Sequence, residues 1–524
     1  MVASIEEILD GHFSVEDRYE MCAAMRQPYL RRARDCSKLT IPTLIPDEAT
    51  TSSTDFPTPF QSIGARGVNH LASKLLITLL PPSSPFFRLI VDDYDLSQMP
   101  TQMSRGQVEE GLSRAERAVM SEIETGAIRV PVFEALKHLL VAGNVLIFLP
   151  EDKGMRVFPI DRYTVKRDAS GNILEIIVKE TVNPTMLEDD VRELIGGTED
   201  EYEPTKECDL YTYVCNYGDY WHIHQEIQGN LIPDSVGSYN PDKFPWIPLM
   251  FESVDGEDYG RGHVEQYYGD LRSLEALTQA IVEGSAAASK VVFLVRPNGT
   301  TNPRDIAEAP NGAIVQGDEN DVSTLQMDKF QDFRVSELVI GRITERLSYA
   351  FLLNSSVRRD AERVTAEEIR YMAQELESSL GGTYSLLSTD FQLPLVRLVL
   401  DRLSKGGKLP DLPEIVKPQI VAGLEGLGRG YDLNRLQMLL QYLQPFGPDA
   451  LMSEMNLSDY IDRLGASLGI DMLGLLKTPE QKQIEAQQRQ AQMEDQRLMA
   501  LYEKATPEVA KQLLPQILGT KQQG

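Results

Sequence analysis

Cys208, Cys215, His222 and His224 are the residues whose types best suit chemistry, because thiolate and imidazole are the donors zinc takes. The spacing disfavours a metal. The cysteines lie too far apart for a compact C-x-x-C knuckle, and His222 and His224 alternate along one strand face beside Tyr220 and Trp221. They read as hairpin side chains. The acid pairs Asp92-Asp93, Glu109-Glu110 and Asp189-Asp190 have the donors of a two-metal nuclease, but in an acidic chain such pairs are ordinarily solvated. Gly423-Leu424-Glu425-Gly426-Leu427-Gly428-Arg429-Gly430 lacks the G-x-x-x-x-G-K-[ST] pattern and reads as a turn. No nucleophile stands beside a base, and His138 and His263 read as helix-face residues. The sequence indicates neither cofactor nor metal.

The bulk composition narrows the class. With 524 residues and 42% hydrophobic content, the chain is long enough for about three domain-sized units. Its 79 acidic residues against 51 basic give a net charge of −28. General nucleic-acid binding draws affinity from cations that displace counterions, so any DNA-facing surface must be local; an acidic surface would keep DNA from sticking. Four cysteines are too few for a disulfide framework, and a reducing compartment is expected. The N-terminus has no signal-peptide pattern, and no apolar run has the ~20 residues that span a bilayer.

Up to about residue 35 the pattern is helical, with Leu30-Arg31-Arg32-Ala33-Arg34 as a solvated face. Residues 40–46, with Pro42 and Pro46, read as an extended connector. Gly64-Ala65-Arg66-Gly67 leads into a helix with Leu71, Leu75, Leu76 and Leu79. Further helices are expected at 107–125 and 131–142; Gly143-Asn144 breaks the latter before the buried strand 145–149. Segments 156–166 and 173–180 flank the turn 168–172 as one hairpin, and 209–215 with 220–227 make another. The front half is thus α+β. Pro410, Pro413 and Pro418 mark a boundary after about residue 408, short helices follow at 433–443 and 455–470, and a Gln/Ala-rich tail starts at 478.

Residues 271–403 look mechanical. Leu271, Leu274, Leu277 and Ile281 form a helical stripe that runs into Gly284-Ser285-Ala286-Ala287-Ala288-Ser289, small enough for close helix approach. A second helix carries Phe333, Ile340, Ile343, Leu347 and Phe351. Thr365-Ala366-Glu367-Glu368 is a capping box that starts a long helix, weakened by Gly381-Gly382 and by Pro394. Between these helices, Asn354, Ser355, Ser356, Val357, Arg358, Arg359, Asp360, Glu362 and Arg363 make a polar loop that must face water or a polyanion.

At Phe60-Gln61-Ser62-Ile63-Gly64-Ala65-Arg66-Gly67-Val68-Asn69-His70-Leu71-Ala72-Ser73-Lys74-Leu75 the chain resembles the portal, or head-to-tail connector, proteins of short-tailed phages of the T7 type. The resemblance continues at Phe133-Glu134-Ala135-Leu136-Lys137, Val141-Ala142-Gly143-Asn144-Val145-Leu146, Tyr259-Gly260-Arg261, Gly269-Asp270-Leu271-Arg272-Ser273-Leu274-Glu275, Val364-Thr365-Ala366-Glu367-Glu368-Ile369-Arg370-Tyr371 and Gln392-Leu393-Pro394-Leu395-Val396-Arg397. It implies an α+β portal fold assembled as a ring of about twelve subunits at one capsid vertex, through which double-stranded genomic DNA is packaged and ejected. The wing would span 1–269, the first stem helix 270–291, the clip 292–329, the second stem helix 330–352, the channel loop 353–364, the long kinked helix 365–407, the crown 408–477 and the tail 478–524. On this reading the polar loop faces DNA, and Gly284, Ser285, Ala287 and Ala288 pack the stem. The implied partners are the large terminase, capsid and scaffolding proteins, a tail adaptor and internal core proteins, in the host cytoplasm during assembly and then in the virion. A metal-dependent nuclease or nucleotide hydrolase of DNA packaging is the alternative, and a scaffolding protein a third.

Overall fold

The computed structural model describes residues 14–91 (without 49, 52, 83 and 84), 105–195 (without 152 and 153), 207–288 (without 218), 292–325, 330–353, 366–410, 415–420, 428–446 and scattered positions between 460 and 496. The chain forms two compact units, one of residues 1–92 and 115–427, the other of 93–114 and 428–524.

In the larger unit, α1 (Val15–Lys38) starts at Ser14, whose hydroxyl accepts from the Asp17 N–H at 3.3 Å, with Glu16 and Asp17 favourably placed against the helix dipole. The free Val15 N–H donates to the Glu226 carboxylate at 3.0 Å. The expected extended connector after α1 is instead turned: Leu44 N–H bonds to Ile41 O at 3.0 Å, because Pro42 occupies the turn position its fixed φ favours. Next come α2 (Ile63–Leu79), β1 (Phe87–Val91), α3 (Arg105–Thr125), within which the two units divide, and α4 (Arg129–Ala142).

β2 (Asn144–Phe148) is nearly all buried and central in a three-stranded sheet. The single strand expected over 156–166 is two: β3 (Arg156–Pro159) pairs with β2, whereas β4 (Tyr163–Arg167) joins another sheet. A turn closed by Arg162 N–H to Pro159 O redirects the chain between them. β5 (Ile173–Val182), α5 (Asp189–Leu194), β6 (Cys208–Tyr217), β7 (Tyr220–Ile227) and β8 (Asn230–Tyr239) follow, giving an antiparallel five-stranded sheet in the order β4-β5-β6-β7-β8. β9 (Trp246–Met250) then closes the smaller sheet on β2, where Phe148 stacks on Trp246 at 4.0 Å.

α1 lies on the larger sheet. Val15, Tyr19 and Ala23 recur at helical spacing and bury against Ile177, Tyr211, Tyr213 and Cys215. Under this cluster Glu175, 1% exposed, pairs with Arg18 at 2.7 Å and accepts from Tyr213 Oη at 3.2 Å, so its buried charge is compensated.

The remaining elements are α6 (His263–Gln266), α7 (Tyr268–Ala288), β10 (Val292–Val295), α8 (Pro303–Glu308), β11 (Val322–Leu325), α9 (Phe330–Ala350), α10 (Ala366–Leu380), α11 (Gly382–Leu387), α12 (Leu393–Lys405) and β12 (Val416–Ile420). β12 pairs with β1, so the prolines after residue 408 do not end this unit, which continues to residue 427. Pro418 is tolerated because a two-stranded sheet has only edges. The long-helix reading holds in part: Gly381 leaves the helical region at φ 58°, and a π-turn over Ser388–Gln392 precedes Pro394. In the smaller unit, α13 (Gly428–Leu443) carries exposed Met438, Leu439 and Tyr442, and Tyr460 Oη donates to Leu436 O at 3.1 Å.

Gly143 joins two sequence blocks. It caps α4 at φ 76°, and a Cβ there would lie 2.3 Å from the Arg261 carbonyl carbon. Asn144 completes the join, its amide donating to Gly260 O at 2.9 Å and its oxygen accepting from Gly260 N–H at 2.7 Å. Gly143→Ala should therefore lower the unfolding free energy by more than about 1 kcal/mol in denaturant melts, since both the dihedral and the space exclude a side chain. A second expectation concerns acid. Burial pushes His138 and His224 down to about 4, so the folded state holds them neutral while the unfolded chain binds protons below about 6.5. Stability is then full above that pH and falls toward pH 4, by up to about 1.4 kcal/mol per pH unit for each histidine. His138→Leu should flatten the pH dependence of the melt.

Candidate functional site

α7 and α9 form an antiparallel arm whose base is buried and whose outer length is exposed. Leu271, Leu274, Ile343, Leu347 and Phe351 are buried at the base. Farther out, Val282, Val335 and Leu338 are at least half exposed, although they occupy apolar helical positions. From Leu271 to Ala288 the arm spans about 25 Å at the helical rise.

Two contacts set the helices together. Asp270 and Arg346 pair at 2.8 Å near the base. Farther out, a Cβ on Gly284 would fall 2.8 Å from the Phe333 ring, so glycine is what admits that ring. Of the small residues expected to pack helices, Gly284 thus serves the contact within one chain. Ser285 and Ala287 face solvent, and the side chain of Ala288 is outside the described residues.

At the far end β10 and β11 pair antiparallel, from Val292 opposite Leu325 to Val295 opposite Val322. Asp321 braces the loop that follows β10: its carboxylate accepts from Thr300 N–H at 2.8 Å and from the Thr301 hydroxyl at 3.3 Å. Burial works against its charge, but these donors prevail and hold the carboxyl below its usual value. The braced end presents Phe293, Leu294 and a fully exposed Ile314.

The base of the arm is clasped. The last carbonyls of a helix lack intrahelical donors, and here other helices supply them. A ring nitrogen of His263 lies 3.0 Å from Ala350 O. On α2, His70 Nε2 lies 3.2 Å and Lys74 Nζ 3.3 Å from Leu352 O. Lys74, its side chain 8% exposed, also pairs with Glu375 of α10 at 2.9 Å. It therefore touches the chain on both sides of the polar loop. Burial pushes His263 and His70 below the ordinary histidine value, with the Lys74 charge a further cause for His70. Gly67 admits Phe351, since a Cβ there would lie 2.5 Å from its ring. Glu275 of α7 accepts from Phe60 N–H at 2.9 Å and Gln61 N–H at 3.2 Å, tying the arm to the segment before α2.

The polar loop residues Asn354, Ser355, Ser356, Val357, Arg358, Arg359, Asp360, Glu362 and Arg363, and Thr365 of the expected capping box, lie outside the described residues. Cys215 and His222 stand opposite each other on β6 and β7, whereas Cys208 packs in a separate cluster with Ile227 and Ile232. The sequence reading missed Lys74, His70 and His263 as a set. A signal existed: Gly67, His70 and Lys74 recur at helical spacing within a leucine-rich helix.

A family model for the bacteriophage head to tail connecting protein matches residues 14–475. The portal protein of Escherichia phage T7 is 42% identical over 494 residues, covering 92% of this chain and 91% of its own. That of Enterobacteria phage T3 is 42% identical over 493 residues, with the same coverage. That of Enterobacteria phage SP6 is 31% identical over 489 residues, covering 91% and 92%.

Lys74→Met removes the donor and strands Glu375, and should cost about 3 kcal/mol in equilibrium unfolding. Adding Glu375→Met should recover part of that loss; a double variant no more stable than the single one counts against the pairing.

Proposed function

Because this chain belongs to the bacteriophage head-to-tail connecting protein family and is a portal protein of the T7-like type, we propose that it assembles into a ring of about twelve copies at one capsid vertex and that genomic DNA passes through the ring. The observation that carries this reading is the arm: its base is locked into the subunit, yet its outer length exposes Val282, Val335 and Leu338, an apolar surface that a lone subunit leaves in water. In a ring, neighbouring arms cover one another, and the exposed Ser285 and Ala287 allow close approach.

The arm is then the stem (270–291 and 330–352), its braced end the clip (292–329), 353–364 the channel loop, 365–407 the kinked helix of a wing that begins at residue 1, and the crown, expected from 408, begins only where the larger unit ends at 427, with 478–524 the tail. The loop's mixed charges suit transient contact with phosphates: Arg358, Arg359 and Arg363 attract, Asp360 and Glu362 shorten the stay, and the net charge of −28 keeps DNA from adhering elsewhere. The reading assigns the chain no catalysis. ATP hydrolysis falls to a separate terminase, and capsid, scaffolding, tail adaptor and internal core proteins are the further partners.

The deciding measurement is the mass and symmetry of the purified species, with a central hole in negative-stain images. A small species that cleaves DNA with magnesium would falsify the reading in favour of a nuclease. Arg358→Ala with Arg359→Ala should leave ring mass unchanged and lower packaged-DNA retention; unaltered packaging and retention would remove the loop from the DNA path.

A further inference from the structure

The arm ends on a leucine in a glycine's place. After Ala350 the Leu353 N–H donates to Ser348 O at 2.8 Å and the Leu352 N–H to Tyr349 O at 3.1 Å, the paired bonds that close a helix whose next residue turns left-handed. Leu352 makes that turn, at φ 53°. Its Cβ then crowds the carbonyl oxygen that follows, which is why glycine ordinarily stands at such a position, as Gly143 does at the end of α4.

Strain of this kind persists only where the surroundings hold it. Here the Leu352 carbonyl lies 3.2 Å from His70 Nε2 and 3.3 Å from Lys74 Nζ, and the lysine charge also suits the negative end of α9. Lys74 divides itself between this carbonyl and Glu375, at 2.9 Å. α2 has a second tie to the long helix, where Gln392 Nε2 donates to Leu79 O. Glu375 and Gln392 stand on opposite sides of the break at Gly381, so bending there loads the lysine. Without the hold, Leu352 relaxes to the right-handed region and the Leu353 N–H takes the regular partner four residues back, Tyr349 O. We propose that Leu352 is a strained latch: α2 holds the end of the arm in its left-handed setting, and a shift of α10 that draws Lys74 away lets α9 run on. The end of the arm thereby has two settings, coupled to the bend of the long helix. Their use in DNA passage rests on the ring reading above.

Amide exchange in the full chain reads the latch. Lys74→Met with Glu375→Met should speed exchange at Leu352 and Leu353 several-fold, and adding Leu352→Gly should restore the slow rate, because glycine keeps the turn unaided. Exchange that stays fast in the triple variant would overturn the proposal, since a contact that only packs is not replaced by removing a side chain. Leu352→Gly should also melt above Leu352→Ala, the reverse of glycine's ordinary penalty; an equal or lower melting temperature would overturn the strain. In assembled heads Leu352→Gly, which locks the turn, should lower infective yield several-fold at unchanged ring mass, and normal yield would overturn the switch. An unmodified chain that forms no rings would instead sink the ring reading and leave the exchange and melting results to decide the latch.

Discussion

A helix that ends against its own protein leaves carbonyls short of donors, and the partly buried end of α9 is such a place. Ala350 O and Leu352 O are met by His263, His70 and Lys74 from two other helices. Much of the larger unit is arranged so that these donors arrive. Gly67 brings α2 against Phe351, and Glu275 holds the segment leading into α2 by its amides. Lys74 extends the link to α10 through Glu375. One lysine thus ties the place where the chain leaves the arm to α10, where the described chain resumes.

The same economy of space recurs at Gly143. There an absent Cβ lets α4 meet Arg261, and Asn144 closes the seam with Gly260. These positions fall within the blocks that carry the resemblance to portal proteins, and the geometry explains their residue types. Glycine is needed where backbones or rings meet within a carbon's width, and asparagine where one side chain must both donate and accept.

Much of this was legible in the sequence. Helical spacing located α2, α7 and α9, because one face of each buries and the pattern follows directly. The hairpin of β6 and β7 was legible from its turn residues. β8, β9 and the pairing of β1 with β12 were not: Leu89 opposite Pro418 joins segments more than three hundred residues apart, and nothing local encodes such a partner. The split between β3 and β4 was hidden because both halves alternate like one strand, while the turn at residues 160–162 has no glycine to announce it. Lys74 was quoted within a matching block, but its role depends on Leu352 and Glu375 reaching it from distant sequence. The arm itself was recognised by its lack of chemistry, and the exposed Val335 and Leu338 give that absence a physical sense.

The brace at the end of the arm draws every bond described for it from within residues 292–325: Asp321 to Thr300 and Thr301, Arg296 N–H to Asp321 O, and the two short strands. Behind it, Gly284 and Phe333 set the spacing of the helices that carry it. The end piece is therefore a cassette. Evolution can exchange it without retuning the clasp at the other end of the arm.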